Sequence, residues 1–251
     1  MFLIHLLQSH QWLFAFTLNA LLIAVAQRLP LLTRAGWVHA GALGTILWGC
    51  LGWRGWLGVA FYLVLGSLVT RLGMAQKQRD GLAEGRGGRR GPENVWGSAA
   101  TGAVIAILIK LGIGSEPLLI LGFTASFAAK LADTFGSEIG KRWGRTTILI
   151  TTLRPVPAGT DGAISLEGTL ASALGSVLMT AVMVSLALLP LGYAAILVAA
   201  TGLLATLMES LLGAIAQDKI SWLSNELVNG LQTCFAALMA IALGAWLGFI
   251  G

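Results

Sequence analysis

The chain is poor in charge. Only 11% of its 251 residues are Asp, Glu, Lys or Arg, whereas 56% are hydrophobic and the mean hydropathy is +0.82. A water-soluble domain carries about 25% charged residues, so the composition argues against a soluble protein and predicts an integral membrane protein. The length predicts one transmembrane domain, residues 1–251, with no soluble second domain.

Cysteine and histidine are also scarce. Cys50 and Cys234 stand alone in apolar runs without a CxxC pattern, which argues against a disulfide framework and against a zinc site. His5, His10 and His39 are not at metal-binding spacing, and we expect them near the face opposite the basic loops. This distribution disfavours a reaction that needs a histidine base at the basic face.

Long apolar runs account for most of the chain. Windows of about 20 apolar residues predict an all-α fold, a polytopic bundle of about eight transmembrane helices. The second and third windows are short and meet around residues 52–55, so a single re-entrant hairpin, which reduces the count to seven, is the alternative there. The predicted spans are residues 2–26, 36–53, 56–73, 95–113, 117–136, 166–189, 192–216 and 228–250.

The basic residues predict the orientation. Thirteen of the 16 lie in the connections after odd-numbered spans, and ten of the eleven acids share that face. The positive-inside rule places this face in the cytoplasm. Two of its connections are long, a glycine- and arginine-rich loop at 74–94 and a basic loop at 137–165. Because the bases are spread over loops between spans, we expect contact with membrane lipids and no nucleic-acid binding.

A polar stripe runs along the end of the fifth predicted span. At 100° per residue, six polar side chains share an arc of about 140°. Ionisable groups at membrane depth are costly and face protein or a hydrated cavity. A structural pair between Lys130 and Asp133 is the main alternative to a functional role. The stripe consists of Lys130, Asp133, Thr134, Ser137, Glu138 and Lys141.

The carboxylates of this stripe suit a magnesium site. Mg²⁺ takes one or two protein carboxylates, keeps several waters and often accepts phosphate oxygens. We therefore expect Asp133 and Glu138 to bind Mg²⁺, with Glu209 of the seventh span as a possible third carboxylate.

Two loops on the same face have the chemistry of phosphate binding. Glycine-spaced arginines at 77–94 can pair with phosphate oxygens, although a flexible loop that contacts lipid phosphates has the same composition. Residues 159–162 have turn chemistry, and Ser165 is a plausible N-cap for a helix that begins near residue 166. An ordinary turn before a capped helix is the alternative. The candidate phosphate- and nucleotide-binding residues are Arg89, Arg90, Asn94, Lys141, Gly159, Thr160, Asp161, Gly162, Ser165, Asn225 and Asn229.

Five segments resemble a known family. They are GPENVWGSAA (91–100), ADTFGSEIG (132–140), PVPAGTDGAISLEGTLAS (155–172) and the pair ESLLGA and NELVNGLQT (209–214 and 225–233). In this order, over residues 30–251, they resemble the integral-membrane phytyl-phosphate kinases of cyanobacteria and chloroplasts. A looser likeness links the chain to CTP-dependent polyprenol and phytol kinases. Asp161 stands where the family pattern has Asn, and Glu209 where it has Asp.

The resemblance implies a specific reaction. A kinase of this family transfers the γ-phosphoryl group of a nucleoside triphosphate, CTP by resemblance, to phytyl phosphate or a related prenyl monophosphate. The product is the diphosphate used for tocopherol and phylloquinone synthesis. In a cyanobacterium, the resemblance implies the plasma or thylakoid membrane. The alternatives are a prenol or phytol kinase, a CTP-dependent cytidylyltransferase acting on a lipid phosphate, and a membrane transporter. The sequence does not indicate an oligomeric state.

Overall fold

The computed structural model describes residues 2–217 and 219–249, with side chains from residue 10 onward. Within these residues the fold is helical, as predicted. The helices are α1 (Phe2–Ala26), α2 (Arg34–Arg71), α3 (Met74–Arg79), α4 (Pro92–Leu111), α5 (Glu116–Trp143), α6 (Leu166–Ser185), α7 (Tyr193–Leu212) and α8 (Asn225–Trp246). Strands β1 (Thr147–Leu149) and β2 (Ala163–Ser165) form an antiparallel pair between α5 and α6.

Six of the described helices are long and apolar enough to cross a membrane: α2, α4, α5, α6, α8, and α7 with its π-helical extension to Gln217. The part of α1 whose side chains are described, His10–Ala26, is a shorter apolar helix. The prediction of an all-α polytopic membrane bundle is therefore confirmed.

Helix α2 is folded back on itself at Gly52. This residue has φ +69° and ψ −165°, which interrupts the helix. Trp48 and Trp56, on either side of it, have ring centroids 5.7 Å apart, and Arg71 at the end of the second limb donates to the carbonyl of Pro30, ahead of the first. The limbs, residues 34–51 and 53–71, are each about 27–29 Å long. Each is thus close to the hydrocarbon thickness of a bilayer, and the chain returns to the side from which it started.

Helix α5 lies at the centre of the bundle, in contact with α2, α4, α6, α7 and α8. Small residues allow this close approach. A Cβ on Gly136 would lie 2.0 Å from the Ser172 hydroxyl oxygen, and one on Gly175 would lie 2.8 Å from the Leu131 carbonyl oxygen. Such contacts are typical of helix packing in membranes. They hold the polar stripe of α5 in the interior of the protein.

The two long loops are more structured than predicted. Helix α5 continues to Trp143, so the first two turns of the predicted loop 137–165 are helical, and the same loop ends in β2. The predicted loop 74–94 begins with α3, contains a short 3₁₀ turn at Gly85–Gly88, and ends in the first turn of α4.

One histidine does not lie where it was expected. His39 lies in the second turn of α2, at the same end as the basic residue Arg34, and its Nδ1 accepts a hydrogen bond from the indole of Trp96, 2.9 Å away. The prediction that it lies near the opposite face is wrong. His39 does not line the cavity described below. The side chain of His5 lies outside the described part of the chain.

Candidate active site

A polar cavity of about 400 Å³ opens at the basic end of the bundle. It is formed by the stripe of α5, the segment that precedes α4, the loop that ends in β2, and the adjoining ends of α6, α7 and α8. All fourteen residues that the sequence assigned to a site line this cavity: Arg89, Arg90, Asn94, Asp133, Glu138, Lys141, Gly159, Thr160, Asp161, Gly162, Ser165, Glu209, Asn225 and Asn229.

The centre of the stripe is an ion pair. Lys130 is buried and pairs with Asp133, one turn further along α5, and it donates a second hydrogen bond of 2.7 Å to Asn229 Oδ1 on α8. The pair that was considered as a structural alternative therefore exists. Because Asp133 also lines the cavity and keeps part of its surface exposed, the ion pair leaves it accessible to a ligand.

Glu138 has a partner that the sequence did not indicate. Its carboxylate pairs with Lys77 of α3, and both side chains are buried. Lys77 also donates to the carbonyl of Thr70, 2.7 Å away, near the end of α2. In the sequence, Lys77 is one of several bases in the 74–94 loop. Only its burial against α2 and α5, which the sequence does not show, distinguishes it from the others.

Three carboxylates, those of Asp133, Asp161 and Glu209, line the same cavity, together with the Lys130 ammonium. Converging carboxylates repel each other unless a cation lies among them. Among the described residues, no group of three or more His, Cys, Asp and Glu side chains has the geometry of a metal site by itself. The set thus fits Mg²⁺ held by one or two carboxylates with water and phosphate oxygens, and it does not fit a closed protein cage.

Three helices begin at the cavity. The first turns of α4, α6 and α8 contribute Asn94, Thr169 and Asn225 to its lining. A helix N-terminus presents unpaired backbone N–H groups and a partial positive charge, which favour phosphate. The convergence of three such ends gives this side of the cavity a partial positive charge that favours an anionic ligand.

The predicted N-cap at Ser165 is confirmed. Helix α6 begins at Leu166, and the Ser165 hydroxyl oxygen accepts a hydrogen bond of 3.1 Å from the Gly168 backbone N–H. As an acceptor in this bond, the hydroxyl keeps its own hydrogen, which it can donate to a ligand.

The glycine- and arginine-rich segment is held in place through Arg90. Its backbone N–H donates to Leu31, and its carbonyl accepts from Thr33, at 3.1 and 3.0 Å. Its guanidinium donates to the Tyr62 hydroxyl and lies 5.3 Å from the centre of that ring. A Cβ on Gly66 would lie 2.8 Å from this guanidinium. Arg90 therefore has a defined position at the cavity wall, unlike an arginine in a flexible loop.

A second basic group lies at the rim. Lys141 donates to Glu84 over 2.9 Å. Partial burial opposes the ionisation of Glu84, but the charge of Lys141 and its hydrogen bond outweigh this effect and hold the pKa of Glu84 below its usual range. Lys141 is half-buried and lines the cavity, so a bound phosphate would compete with Glu84 for its ammonium.

The turn at 159–162 packs against the end of α7. Gly162 has φ +75°, and a Cβ there would lie 2.5 Å from both the Ala214 nitrogen and the Ser210 carbonyl oxygen. Only glycine satisfies both the backbone conformation and this approach. The contact places the turn, and Asp161 with it, opposite Glu209.

Serines complete the lining. Ser98, Ser172 and Ser210 line the cavity and were not assigned from the sequence. Isolated serines in apolar helices are common packing residues. Ser98 could have been assigned to the site from the sequence because it follows Asn94 by four residues and therefore lies on the same face of α4.

The formal charges of the cavity nearly cancel. Its acidic side chains outnumber its basic ones by one. A bound polyphosphate adds negative charge, so this balance favours a divalent cation beside it. The acids are Glu84, Asp133, Glu138, Asp161, Glu209 and Glu226, and the bases are Arg86, Arg89, Arg90, Lys130 and Lys141.

Comparison with known proteins gives consistent matches. The family model "Integral membrane protein DUF92" matches residues 17–237. An uncharacterized membrane protein of Synechocystis, sll0875, is 48% identical over 93% of this chain and 92% of its own length. Protein VTE6, chloroplastic, of Arabidopsis thaliana is 42% identical over 93% of this chain and 72% of its own length.

A more distant relative is archaeal, the uncharacterized membrane protein MJ0933 of Methanocaldococcus jannaschii, 31% identical over 84% of both chains. No solved structure matches the chain. The family match covers nearly all of the described bundle, including every residue of the cavity, so the chain belongs to the DUF92 family of integral membrane proteins.

Proposed function

We propose that this protein is a prenyl-phosphate kinase that transfers the γ-phosphoryl group of a nucleoside triphosphate to phytyl phosphate or a related prenyl monophosphate. One observation carries the proposal: three helix N-termini, Arg90, Lys141 and a set of facing carboxylates converge in one cavity at the basic end of a membrane bundle. Similarity to a chloroplastic protein and the motif resemblance to phytyl-phosphate kinases support it. The resemblance favours CTP as donor, and the positive-inside rule favours a cytoplasmic active face.

The chemistry requires little from the protein beyond position and charge. The bond between the γ-phosphorus and the β–γ bridging oxygen breaks, and an oxygen of the acceptor phosphate forms the new bond, so that a nucleoside diphosphate leaves. Phosphoryl transfer depends mainly on positioning and on neutralisation of charge. The acceptor phosphate is already anionic near neutral pH, so no strong general base is needed, which agrees with a cavity lined by no histidine among the described residues.

We assign the basic and amide groups to the two substrates. Arg89, Arg90 and Lys141 hold phosphate oxygens. Gly162 and Ser165 supply donors from the turn and the start of α6, next to Gly159. The Thr160 hydroxyl and backbone N–H both donate to the Pro157 carbonyl, so Thr160 shapes the turn. Asn94 and Asn225, in the first turns of α4 and α8, and Asn229, in the second turn of α8, orient the substrates. Asn94 is itself held by Glu226, 3.1 Å away, and by the Gly91 backbone, 2.9 Å away.

We assign the acids to a Mg²⁺–nucleotide complex. Asp133 and Glu209, with Asp161 opposite, would hold Mg²⁺, which would supply neutralisation of charge on the phosphate oxygens. Glu138 was expected to be a ligand as well. Its pairing with Lys77 favours a positioning role, in which Glu138 holds α3 against α5 at the rim of the cavity.

The test is a transfer assay with labelled nucleotide. Purified protein in lipid nanodiscs, with Mg²⁺ and γ-labelled CTP or ATP, receives phytyl, farnesyl or geranylgeranyl monophosphate, with phytol as a control. We expect label in the lipid diphosphate from γ-labelled and not from α-labelled nucleotide. Transfer of the α label would show a cytidylyltransferase, transfer to phytol an alcohol kinase, and no transfer to any acceptor would overturn the proposal.

A further inference from the structure

A second, apolar cavity of about 130 Å³ lies beside the polar one. Its walls come from α1, from both limbs of α2 and from α4, and they include Ile23, Ala40, Leu47, Val59 and Ala99. Along α2 it extends from the level of Trp37 to that of Leu47, which corresponds to about 15 Å. The cavity is thus a long, narrow groove whose lining is almost entirely apolar.

The two cavities are joined at one end. Arg90, Asn94 and Ser98 line both of them. The groove therefore begins at the arginine whose position is fixed by Leu31, Thr33 and Tyr62. A molecule with an anionic head at Arg90 and an apolar chain would place each part in a matching environment.

A spare hydrogen-bond donor lies at this junction. Trp37 lines the groove, is only 7% exposed, and its indole N–H has no partner within the described part of the chain. It follows Thr33 by one helical turn, and Thr33 is bonded to the Arg90 carbonyl. An unsatisfied buried donor is uncommon in folded proteins, and this one lies on the wall of the groove, one helical turn after the residue whose backbone N–H donates to the Arg90 carbonyl.

Two hydrogen-bonded polar groups line the deep part of the groove. Asn19 and Trp56 line it and are hydrogen-bonded to each other, Trp56 Nε1 to Asn19 Oδ1, at 2.9 Å, while Asn19 Nδ2 donates to Ala15. A Cβ on Gly44 would lie 2.2 Å from Asn19 Oδ1. These satisfied groups lie about 10 Å along α2 from Trp37, at the level of Gly44, within the length of about 15 Å over which the groove extends.

We infer that this groove binds the proximal part of a single isoprenoid chain whose terminal phosphate lies at Arg90. The inference depends on the proposed function for the identity of the head group. A cavity of about 150 Å³ holds a molecule the size of benzene, so this one encloses the chain next to the phosphate and leaves the distal chain among the lipids. Its narrowness excludes the two acyl chains of a glycerophospholipid.

A photolabelling experiment tests the groove without nucleotide. Geranylgeranyl monophosphate with a diazirine near its phosphate is irradiated with the protein in nanodiscs, and the labelled peptides are mapped. We expect labels within residues 19–26, 37–47 and 56–63, displaced by phytyl monophosphate and not by a two-chain phosphatidate. Labels spread evenly over the lipid-facing helices, or displaced equally by phosphatidate, would overturn the inference.

Matched variants sharpen the result. Ala40→Phe fills the groove, whereas Val38→Phe adds the same ring two residues away at a side chain that is 67% exposed. We expect a loss of about tenfold or more in labelling for the first and none for the second. Ala60→Phe, paired with the exposed control Val64→Phe, repeats the comparison on the other limb.

The labelling of the variants tests the groove, and the transfer assay tests the kinase, so either proposal can be overturned without the other. Equal labelling of both members of each pair would overturn the groove even if phosphoryl transfer is observed. Conversely, labelling confined to the groove in a protein that transfers no phosphate would support the groove and overturn the kinase.

Discussion

Lys77 and Glu138 form a buried ion pair that joins α3 to the last turns of α5. Lys77 also binds the Thr70 carbonyl, so one ammonium connects three helices beside the cavity. A buried charge without its partner is strongly unfavourable, while the complete pair can contribute little net stability. The pair therefore makes the position of α3 dependent on a group that lines the candidate site.

Removal of one partner is expected to destabilise the protein. Lys77→Met leaves the Glu138 carboxylate buried and unpaired, which should cost about 3–5 kcal/mol, whereas the double variant Lys77→Met/Glu138→Leu should recover most of that loss. Thermal unfolding in nanodiscs measures both. Lys219→Met, at an exposed loop lysine, is the control, and a Lys77→Met protein as stable as that control would contradict the prediction.

Asp133 is expected to be required for turnover. Asp133→Asn keeps the shape of the side chain and the Lys130–Asn229 hydrogen bond, but it leaves the buried Lys130 ammonium without its carboxylate partner, which also lowers stability. It removes the charge that the proposed Mg²⁺ site needs, so we expect turnover to fall about 100-fold or more and the Mg²⁺ concentration for half-maximal activity to rise. Glu116→Gln, in the first turn of the same helix, is the matched control. Full turnover of Asp133→Asn at ordinary Mg²⁺ would remove Asp133 from the site.

Alanine substitutions at Gly162 and Gly81 separate the effect of backbone strain from the effect of a steric clash. Gly162→Ala and Gly81→Ala both place a methyl group on a residue with φ above +70°, which costs about 1–2 kcal/mol. Gly81 has open space around it, whereas a Cβ on Gly162 would lie 2.4 Å from the Ala214 Cβ. We expect Gly162→Ala alone to lose activity because it displaces the 159–162 turn. Equal activity in the two variants would argue against a role for that turn.

Arg90 is expected to bind the lipid phosphate through two guanidinium N–H groups at once. Arg90→Lys keeps the charge but loses bidentate phosphate binding and the stacking on Tyr62, so KM for the lipid phosphate should rise about tenfold. Arg54→Lys is a suitable control because Arg54 also stacks on an aromatic ring, that of Trp53, but lies next to the fold-back of α2 at the other end of the bundle. Unchanged KM in Arg90→Lys would place the head group elsewhere.

The ion pair of Glu84 is expected to make the stability of the protein slightly sensitive to acid. The pKa of Glu84 is lowered in the folded protein, so its ion pair with Lys141 contributes stability above the unfolded-state pKa of about 4.3. That contribution is lost as the pH falls through the lower folded value. Unfolding temperatures measured from pH 6 downward should therefore fall less steeply for Glu84→Gln than for the wild type. An identical slope would show that the pair contributes nothing measurable.

Local sequence patterns account for much of the fold. Apolar windows predict the helices because a lipid environment requires every backbone group to be bonded within its own segment. The tight joint around residues 52–55, between two short predicted spans, agrees with the break at Gly52, and the Ser165 cap marks the start of α6. Both features depend on residues adjacent in the chain. The i, i+4 spacing predicts the stripe on α5 for the same reason.

The candidate site was predictable as a set of residues and less so as a set of contacts. Helical periodicity placed Asp133 and Glu138 on one polar face, and the cavity contains both. Periodicity did not indicate that Glu138 turns to Lys77, a contact across 61 positions. Nor did it indicate the β1–β2 pair, whose three-residue strands are too short for a recognisable alternation.

By itself, the sequence determined that the chain is a helical membrane protein with a basic end and a polar stripe on one central helix. These properties follow from composition and from spacing within single segments. The tertiary structure decided which charges pair, that three helix N-termini meet at one cavity, and that an apolar groove between α1, α2 and α4 opens into it. Those outcomes depend on how helices that are distant in the sequence pack against one another. Small residues such as Gly136 and Gly175 allow close packing in several arrangements, and only the folded bundle shows which arrangement forms.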